Sequence, residues 1–161
     1  MKKVGLIMGS NSDLPTVQKA AEVLDSFGVP YEMHIYSAHR TPVQPRDFCT
    51  SARDRGFGVI IAAAGMAAHL AGAMAAGTTL PVIGIPLSSA HLDGMDALLS
   101  TVQMPSGIPV ATVAIDGAKN AAILAVEILA LGDAGLTEKL EAFREKGAQE
   151  ALEKDRALNG R

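Results

Sequence analysis

Short, uninterrupted apolar runs recur along this chain, and helix-forming segments separate them. Val4–Met8, Val59–Ala63, Val82–Ile85 and Val110–Ile115 are such runs, and Tyr31–Tyr36 adds a segment of β-prone residues. A strand with one wet face alternates polar and apolar positions, whereas a continuous apolar run belongs to a strand covered on both faces. Helical segments fall between the runs. Ser12 or Asp13 caps the first, Pro15 sits in its opening turn, and Phe27-Gly28 closes it. Further helices are expected at about 43–55, over the small residues Gly65–Gly77, at Ala118–Leu131, and from Thr137 to about Leu158. Strand–helix alternation of this kind predicts an α/β fold. We expect a three-layer α/β/α sandwich around a central parallel sheet, with a charged C-terminal helix appended.

Between the fourth and fifth runs lies a connection of about 20 residues with a short helix near Met95–Val102, and connections that long inside compact domains are more often functional. The 161 residues are expected to form one domain, with a core at about 3–132 and a helical extension at about 136–158. No internal repeat or linker interrupts them.

Charge is distributed unevenly. Residues 57–132 carry five charged side chains and residues 133–161 carry thirteen. A small monomer has too much surface to leave its middle so nearly uncharged, so we expect that region to be buried partly against other copies of the chain. The uncharged stretch from Gly56 to Leu92 is broken by glycines, prolines and histidines, which argues against a membrane span. With 14 basic and 17 acidic residues and no basic run, a nucleic-acid surface is not expected. Cys49 is the sole cysteine, so intramolecular disulfides and multi-cysteine metal motifs are excluded, and it reads as an inert, half-buried thiol. After Met1-Lys2-Lys3 only five weakly apolar residues follow, too few for a secretory leader, and a cytoplasmic location is expected.

Right-handed crossovers place every strand-to-helix loop at one edge of a parallel sheet, where ligands of such folds bind. The chemically capable residues fall in those loops. The first holds Gly9-Ser10-Asn11-Ser12-Asp13, with hydroxyls and backbone N–H groups for an anion and a carboxylate suited to paired sugar hydroxyls. Taken alone it is a weak signal, more readily read as a plain helix cap. It is neither a Walker loop nor a dinucleotide fingerprint. Ser37-Ala38-His39-Arg40-Thr41-Pro42 is more informative. Arg40 is a permanent, fork-shaped cation fit for phosphate, and His39 is the side-chain type best suited to proton transfer near neutrality. His69 follows Gly65-Met66-Ala67-Ala68 at a helix start, and His91 lies with Ser88, Ser89 and Asp93 in the loop after the fourth strand. His34 lies within the second strand and reads as structural. The spacing of His39, His69 and His91 does not resemble a metal motif, and no metal site is expected. The residues point to a small enzyme that acts on a phosphorylated small molecule by histidine proton transfer, and leave the reaction open.

Several segments are specific enough to suggest a family. Met8-Gly9-Ser10-Asn11-Ser12-Asp13, Ser37-Ala38-His39-Arg40-Thr41-Pro42, Ala67-Ala68-His69-Leu70, Ser100–Val110 and Gly117–Ala122 resemble, in order, the N5-carboxyaminoimidazole ribonucleotide mutases of purine biosynthesis, the catalytic subunits of phosphoribosylaminoimidazole carboxylase. The resemblance spans roughly residues 3–132. It implies a flavodoxin-like sheet in a homo-octamer with sites at subunit contacts, a ribonucleotide substrate, and no metal, nucleotide or organic cofactor. The implied reaction moves a carboxylate from the exocyclic nitrogen of an aminoimidazole to ring carbon 4, by loss and recapture of CO2. By resemblance, His39 transfers the protons and Ser10 and Asp13 hold substrate, with Asp13 on the ribose hydroxyls. Arg40, helped by Ser12 and Ser37, holds the phosphate, and His69 supports the carboxylate side.

Met66 stands where the family usually has glycine. That makes a positive φ costly and puts a large side chain beside the pocket. A sister class that carboxylates aminoimidazole ribonucleotide directly with CO2 carries lysine in place of Arg40 and lacks the Ala-Ala-His-Leu match, so Arg40 and His69 favour the mutase. A flavodoxin-like binding or signalling module is a further alternative. Ala63-Ala64 replaces the acidic residue a phosphoacceptor needs there, and the chain has no tryptophan to stack on a flavin.

Overall fold

The structure, a computed structural model, describes residues 1–160. Five strands, β1 (Lys3–Met8), β2 (Tyr31–Ile35), β3 (Phe57–Gly65), β4 (Val82–Leu87) and β5 (Ala111–Thr112), form one sheet in the order β2-β1-β3-β4-β5. Every neighbouring pair is parallel. Helices α1 (Leu14–Phe27), α2 (Val43–Ala52), α3 (Leu70–Ala76), α4 (Met95–Val102), α5 (Ala118–Ala130) and α6 (Ala134–Asn159) follow the strands. This is the flavodoxin-like order, whose switch point lies between β1 and β3. The expected three-layer α/β/α sandwich with a charged C-terminal helix is present.

The apolar runs divide by side-chain parity, as a strand's period of two requires. Val4, Leu6 and Met8 of β1 pack with Val17, Ala21 and Leu24 of α1 and Ala122 and Val126 of α5 on one face. Ile7, with Ile60 and Ala62 of β3, packs on the other face against Phe48 of α2 and Leu70 and Met74 of α3. Close helix–sheet approach needs residues without side chains. A Cβ at Gly5 would lie 2.8 Å from the Phe48 ring, and one at Gly84 would lie 2.4 Å from Thr101 Cγ2.

Several boundaries differ from expectation. The fifth strand is a two-residue ladder at the sheet edge, not Val110–Ile115. Its ladder to β4 stops at Thr112, and the chain then follows β4 irregularly through Val113 N–H to Gly84 O (3.1 Å) and Asp116 N–H to Pro86 O (2.9 Å). β3 extends through Gly65, because Ala64 and Gly65 find partners in Pro86 and Leu87, so the small-residue helix begins only at Leu70. α2 ends at Ala52, with Arg53–Arg55 in a turn closed by Arg55 N–H to Ser51 O. Asp13, one of the two expected candidates, occupies the N-cap position of α1, but its side chain makes no capping hydrogen bond to that helix. Ser10 caps a single 3-10 turn at Asn11–Asp13, and Asp13 completes the reciprocal box by accepting from Ser10 N–H. α6 begins at Ala134, where Asp133 Oδ1 accepts from Leu136 N–H. Leu136 and Leu140 are buried, while residues 141–160 are all exposed.

His34 lies in β2, stacked on Tyr36 with ring centroids 4.8 Å apart and with Nε2 3.4 Å from Glu32 Oε2, which agrees with a structural role. Cys49 is fully buried, not half-buried, and burial pushes its thiol up to about 11. Among the described residues no helix is long and apolar enough to cross a membrane.

Candidate active site

The C-terminal ends of β1, β2, β3 and β4 surround a cavity of about 510 Å³. It is lined by Ser10, Ser12, Asp13, Ser37, His39, Arg40 and His69, so the fold gathers all seven sequence-predicted residues at one place. They come from three loops. The register that aligns Met8 with Ile35 on one side and Ala63 on the other brings those loops side by side. His91 is exposed in the loop after β4 and does not line the cavity.

The loop after β1 is held by its own polar groups. Ser10 N–H donates to Asp13 Oδ2 (2.9 Å), and Ser12 Oγ lies 2.9 Å from Ser10 Oγ and 3.2 Å from Asp13 Oδ1. Asp13 is half-buried, and desolvation raises its pKa above the ordinary 3.8 despite the Ser10 and Gly9 N–H groups, the Ser12 hydroxyl and the Arg40 charge, all of which oppose the rise.

The loop after β2 is a turn stapled by hydroxyls. Ser37 N–H donates to Thr41 Oγ1 (2.8 Å), Thr41 N–H to Ser37 O (2.9 Å), and Arg40 N–H to Ser37 Oγ (3.1 Å). Ser37 therefore keeps its hydroxyl proton to donate elsewhere. Arg40 Nη2 donates to Gly9 O (3.0 Å), which ties this loop to the first. A guanidinium has five N–H donors, so most of the fork stays free for an anion.

His39 Nε2 lies 2.7 Å from Nδ1 of His69, with the rings 81° apart. At that distance one ring must donate a hydrogen and the other accept it, so two imidazoliums cannot occupy the contact. A single hydrogen bridges the two rings, and which of them donates it depends on the tautomer. His69 immediately precedes α3 and offers no side-chain cap to it.

Three further residues enter from the sheet edge. Met66 lines the cavity in the left-handed region, φ +54°, realising the costly conformation expected of a non-glycine residue there. Ser88 and Ser89 line the cavity from the end of β4, which pairs with the end of β3, and the Ser89 hydroxyl is buried without a partner. Asp116 was missed by sequence reasoning. Its Oδ1 accepts from Ser88 N–H at 3.0 Å and fastens the loop after β4, a contact across 28 positions that no local pattern announces. Among the described residues no group of three or more His, Cys, Asp and Glu side chains is placed to hold a metal ion.

A parallel sheet of this order, with a histidine pair, a guanidinium and a carboxylate at its switch point, defines a flavodoxin-like α/β protein whose crevice suits a phosphorylated small molecule. The chain belongs to the AIR carboxylase family, which it matches over residues 3–150. It is 59% identical over 145 residues, covering 90% of this chain and 83% of the relative, to the N5-carboxyaminoimidazole ribonucleotide mutase of Pyrococcus abyssi. It is 51% identical over 158 residues, covering 98% and 92%, to the protein of that name in Thermotoga maritima. The crystal structure of Treponema denticola PurE superposes with a TM-score of 0.89 at 33% identity, covering 98% of this chain and 99% of that one.

Proposed function

We propose that the chain is an isomerase that converts N5-carboxyaminoimidazole ribonucleotide to 4-carboxy-5-aminoimidazole ribonucleotide in purine biosynthesis. The observation that carries this reading is the His39–His69 contact in the same crevice as Arg40 and Asp13. Relatives at 51–59% identity that bear the mutase name support it.

Arg40 binds the 5′-phosphate with its free guanidinium donors, and the Ser12 and Ser37 hydroxyls assist. Asp13 takes the ribose hydroxyls beside Ser10. The carbamate loses CO2, and His39 gives a proton to the departing ring-attached nitrogen. Carbon 4, electron-rich in the resulting aminoimidazole, captures the CO2. His39 then removes the proton still on that carbon and restores aromaticity. His69 orients His39 and sets which nitrogen carries hydrogen, on the carboxylate side of the crevice. No cofactor takes part in this scheme, and charge-poor loops around Gly65 and Ser88 wall the crevice in which the CO2 is released.

The proposal takes residues 1–161 as one mutase domain acting in a homo-oligomer, an octamer by family resemblance. Met95, Leu99 and Val102 form an exposed apolar stripe along α4 with Leu92 just before it, and this supports burial against other copies. A phosphorylated substrate does not cross membranes unaided, which favours a cytoplasmic location, where such a substrate is made and used.

The decisive experiment supplies the carbamate and, separately, aminoimidazole ribonucleotide with CO2, and follows formation of the carbon-carboxylated product. Turnover of the carbamate at the higher kcat/KM is expected. Turnover of the second mixture alone would assign the direct carboxylase reaction instead.

A further inference from the structure

Met66 is the one large side chain in the run Ala62-Ala63-Ala64-Gly65-Met66-Ala67-Ala68. It holds φ +54°, a region in which side chains other than Asn and Asp are rare. The two other non-glycine residues found there, Asp93 and Asp116, are of the tolerated type. Within a single chain Met66 gains little packing in return, since 60% of it is exposed, yet it lines the cavity together with His69. Strain kept at the edge of a crevice without a packing gain marks a functional constraint.

The constraint follows from the chemistry of the proposed reaction, on which this inference rests. The carbamate C–N bond breaks, its electron pair stays on nitrogen, and nitrogen takes a proton. Carbon 4 then attacks the freed CO2 with a ring π pair, forms the C–C bond and loses its proton, so atoms and charge balance without a co-reactant. Between those events the crevice holds a small, uncharged molecule that neither the histidine pair nor Arg40 can anchor by charge. Apolar walls must hold it. Leu70 and Leu87 line the crevice from the buried core, while the accessible wall residues beside them, Ala64, Gly65 and Ala67, are too short to close an opening. An unbranched thioether adapts to such a gap.

We propose that Met66 is a movable apolar cover that retains CO2 between its release from nitrogen and its capture at carbon 4.

The test supplies carbamate labelled with 13C in its carboxylate, in buffer containing unlabelled bicarbonate and carbonic anhydrase, and reads the label kept in the product by mass spectrometry. The wild-type chain should keep nearly all of it. M66G and M66A should each lose label at least fivefold more, and M66L should restore retention. M66A keeps the positive-φ position occupied by a side chain, so leakage in M66G but not in M66A would place the effect in the backbone and overturn the proposal. Equal retention in all variants overturns it as well, including the case in which only the assembled mass changes. If the wild-type chain converts no carbamate, the proposed function itself falls. Conversion with unchanged retention removes the cover alone.

Discussion

Nε2 of His39 and Nδ1 of His69 are 2.7 Å apart although 30 positions separate them in the chain. The contact bridges the loop after β2 and the start of α3, so it spans both sides of β1 across the sheet's switch point. Because only one of the facing nitrogens can carry the hydrogen, each ring dictates the tautomer of the other. His39→Asn should remove the proton-transfer group and lower kcat by about 10²–10⁴-fold with ligand binding kept within a few-fold. His69→Asn should cost less, because His39 keeps its own ring, and should alter the pH profile of kcat more than KM. Steady-state kinetics across pH with calorimetric binding separates the two. Near-normal turnover by His39→Asn would falsify the assignment.

Arg40 has one anchoring bond, to Gly9 O, and an otherwise available fork. Arg40→Ala removes a charge-assisted contact of about 1.5–3 kcal/mol, equivalent to roughly 10–150-fold in affinity. The loss should fall chiefly on KM and shrink as salt rises. Arg40→Lys should recover only part of it, since an ammonium lacks the bidentate geometry. Titration of ligand at two ionic strengths checks this, and a pure kcat effect would point away from binding.

The raised pKa of Asp13 has a defined consequence for stability. In the folded chain this carboxyl holds its proton above pH 3.8, so between 3.8 and its folded value the native state binds more protons than the unfolded state. Its contribution therefore falls as pH rises through that window, and at neutral pH the buried charge opposes folding. Asp13→Asn retains an oxygen to accept from Ser10 N–H. It should raise or preserve the melting temperature at pH 7, lose that advantage toward pH 3, and bind ligand less well. Melting curves at the two pH values decide; a marked drop at pH 7 contradicts the sign.

Met66→Gly should stabilise the unliganded fold by about 1 kcal/mol, because glycine reaches φ +54° without the clash a Cβ makes with the following carbonyl. Gain is offset in part by the greater freedom of glycine in the unfolded chain. Chemical denaturation at fixed slope gives the number, and destabilisation would show that the methionine side chain contributes more packing than its exposure suggests.

Gly84→Ala should do the opposite. Its Cβ would sit 2.4 Å from Thr101 Cγ2 and 3.0 Å from Val110 Cγ1, between β4 and α4. Overpacking of this kind costs about 1–3 kcal/mol. Gly84→Ala combined with Thr101→Ser, which removes the opposing methyl, should recover much of the loss, and its absence would locate the strain elsewhere.

Much of this could be read from the amino acids in order. Continuous apolar runs at Val4–Met8, Val59–Ala63 and Val82–Ile85 announced strands covered on both faces, and their loops announced which residues would share an edge. Ends of elements were harder. Ala62–Ala64 serve a strand or a helix equally well, and only the pairing of Ala64 with Pro86 and Gly65 with Leu87 decides between them. Val110–Ile115 looks like a full strand, yet beyond Thr112 the chain leaves the β4 ladder and only two residues pair.

The sequence by itself determined the layered parallel fold and the chemistry available at one edge of it, because burial on two faces is written into local periodicity and the hand of the crossovers follows from the chirality of L-residues. Tertiary structure alone decided that His39 meets His69 within hydrogen-bond distance, that Arg40 reaches back to Gly9, that Asp116 fastens Ser88, and that Met66 takes a left-handed backbone at the crevice. Each of these depends on strand register and loop closure, in which ångström differences are set by packing between segments distant in the chain and leave no mark on the order of residues within any one of them.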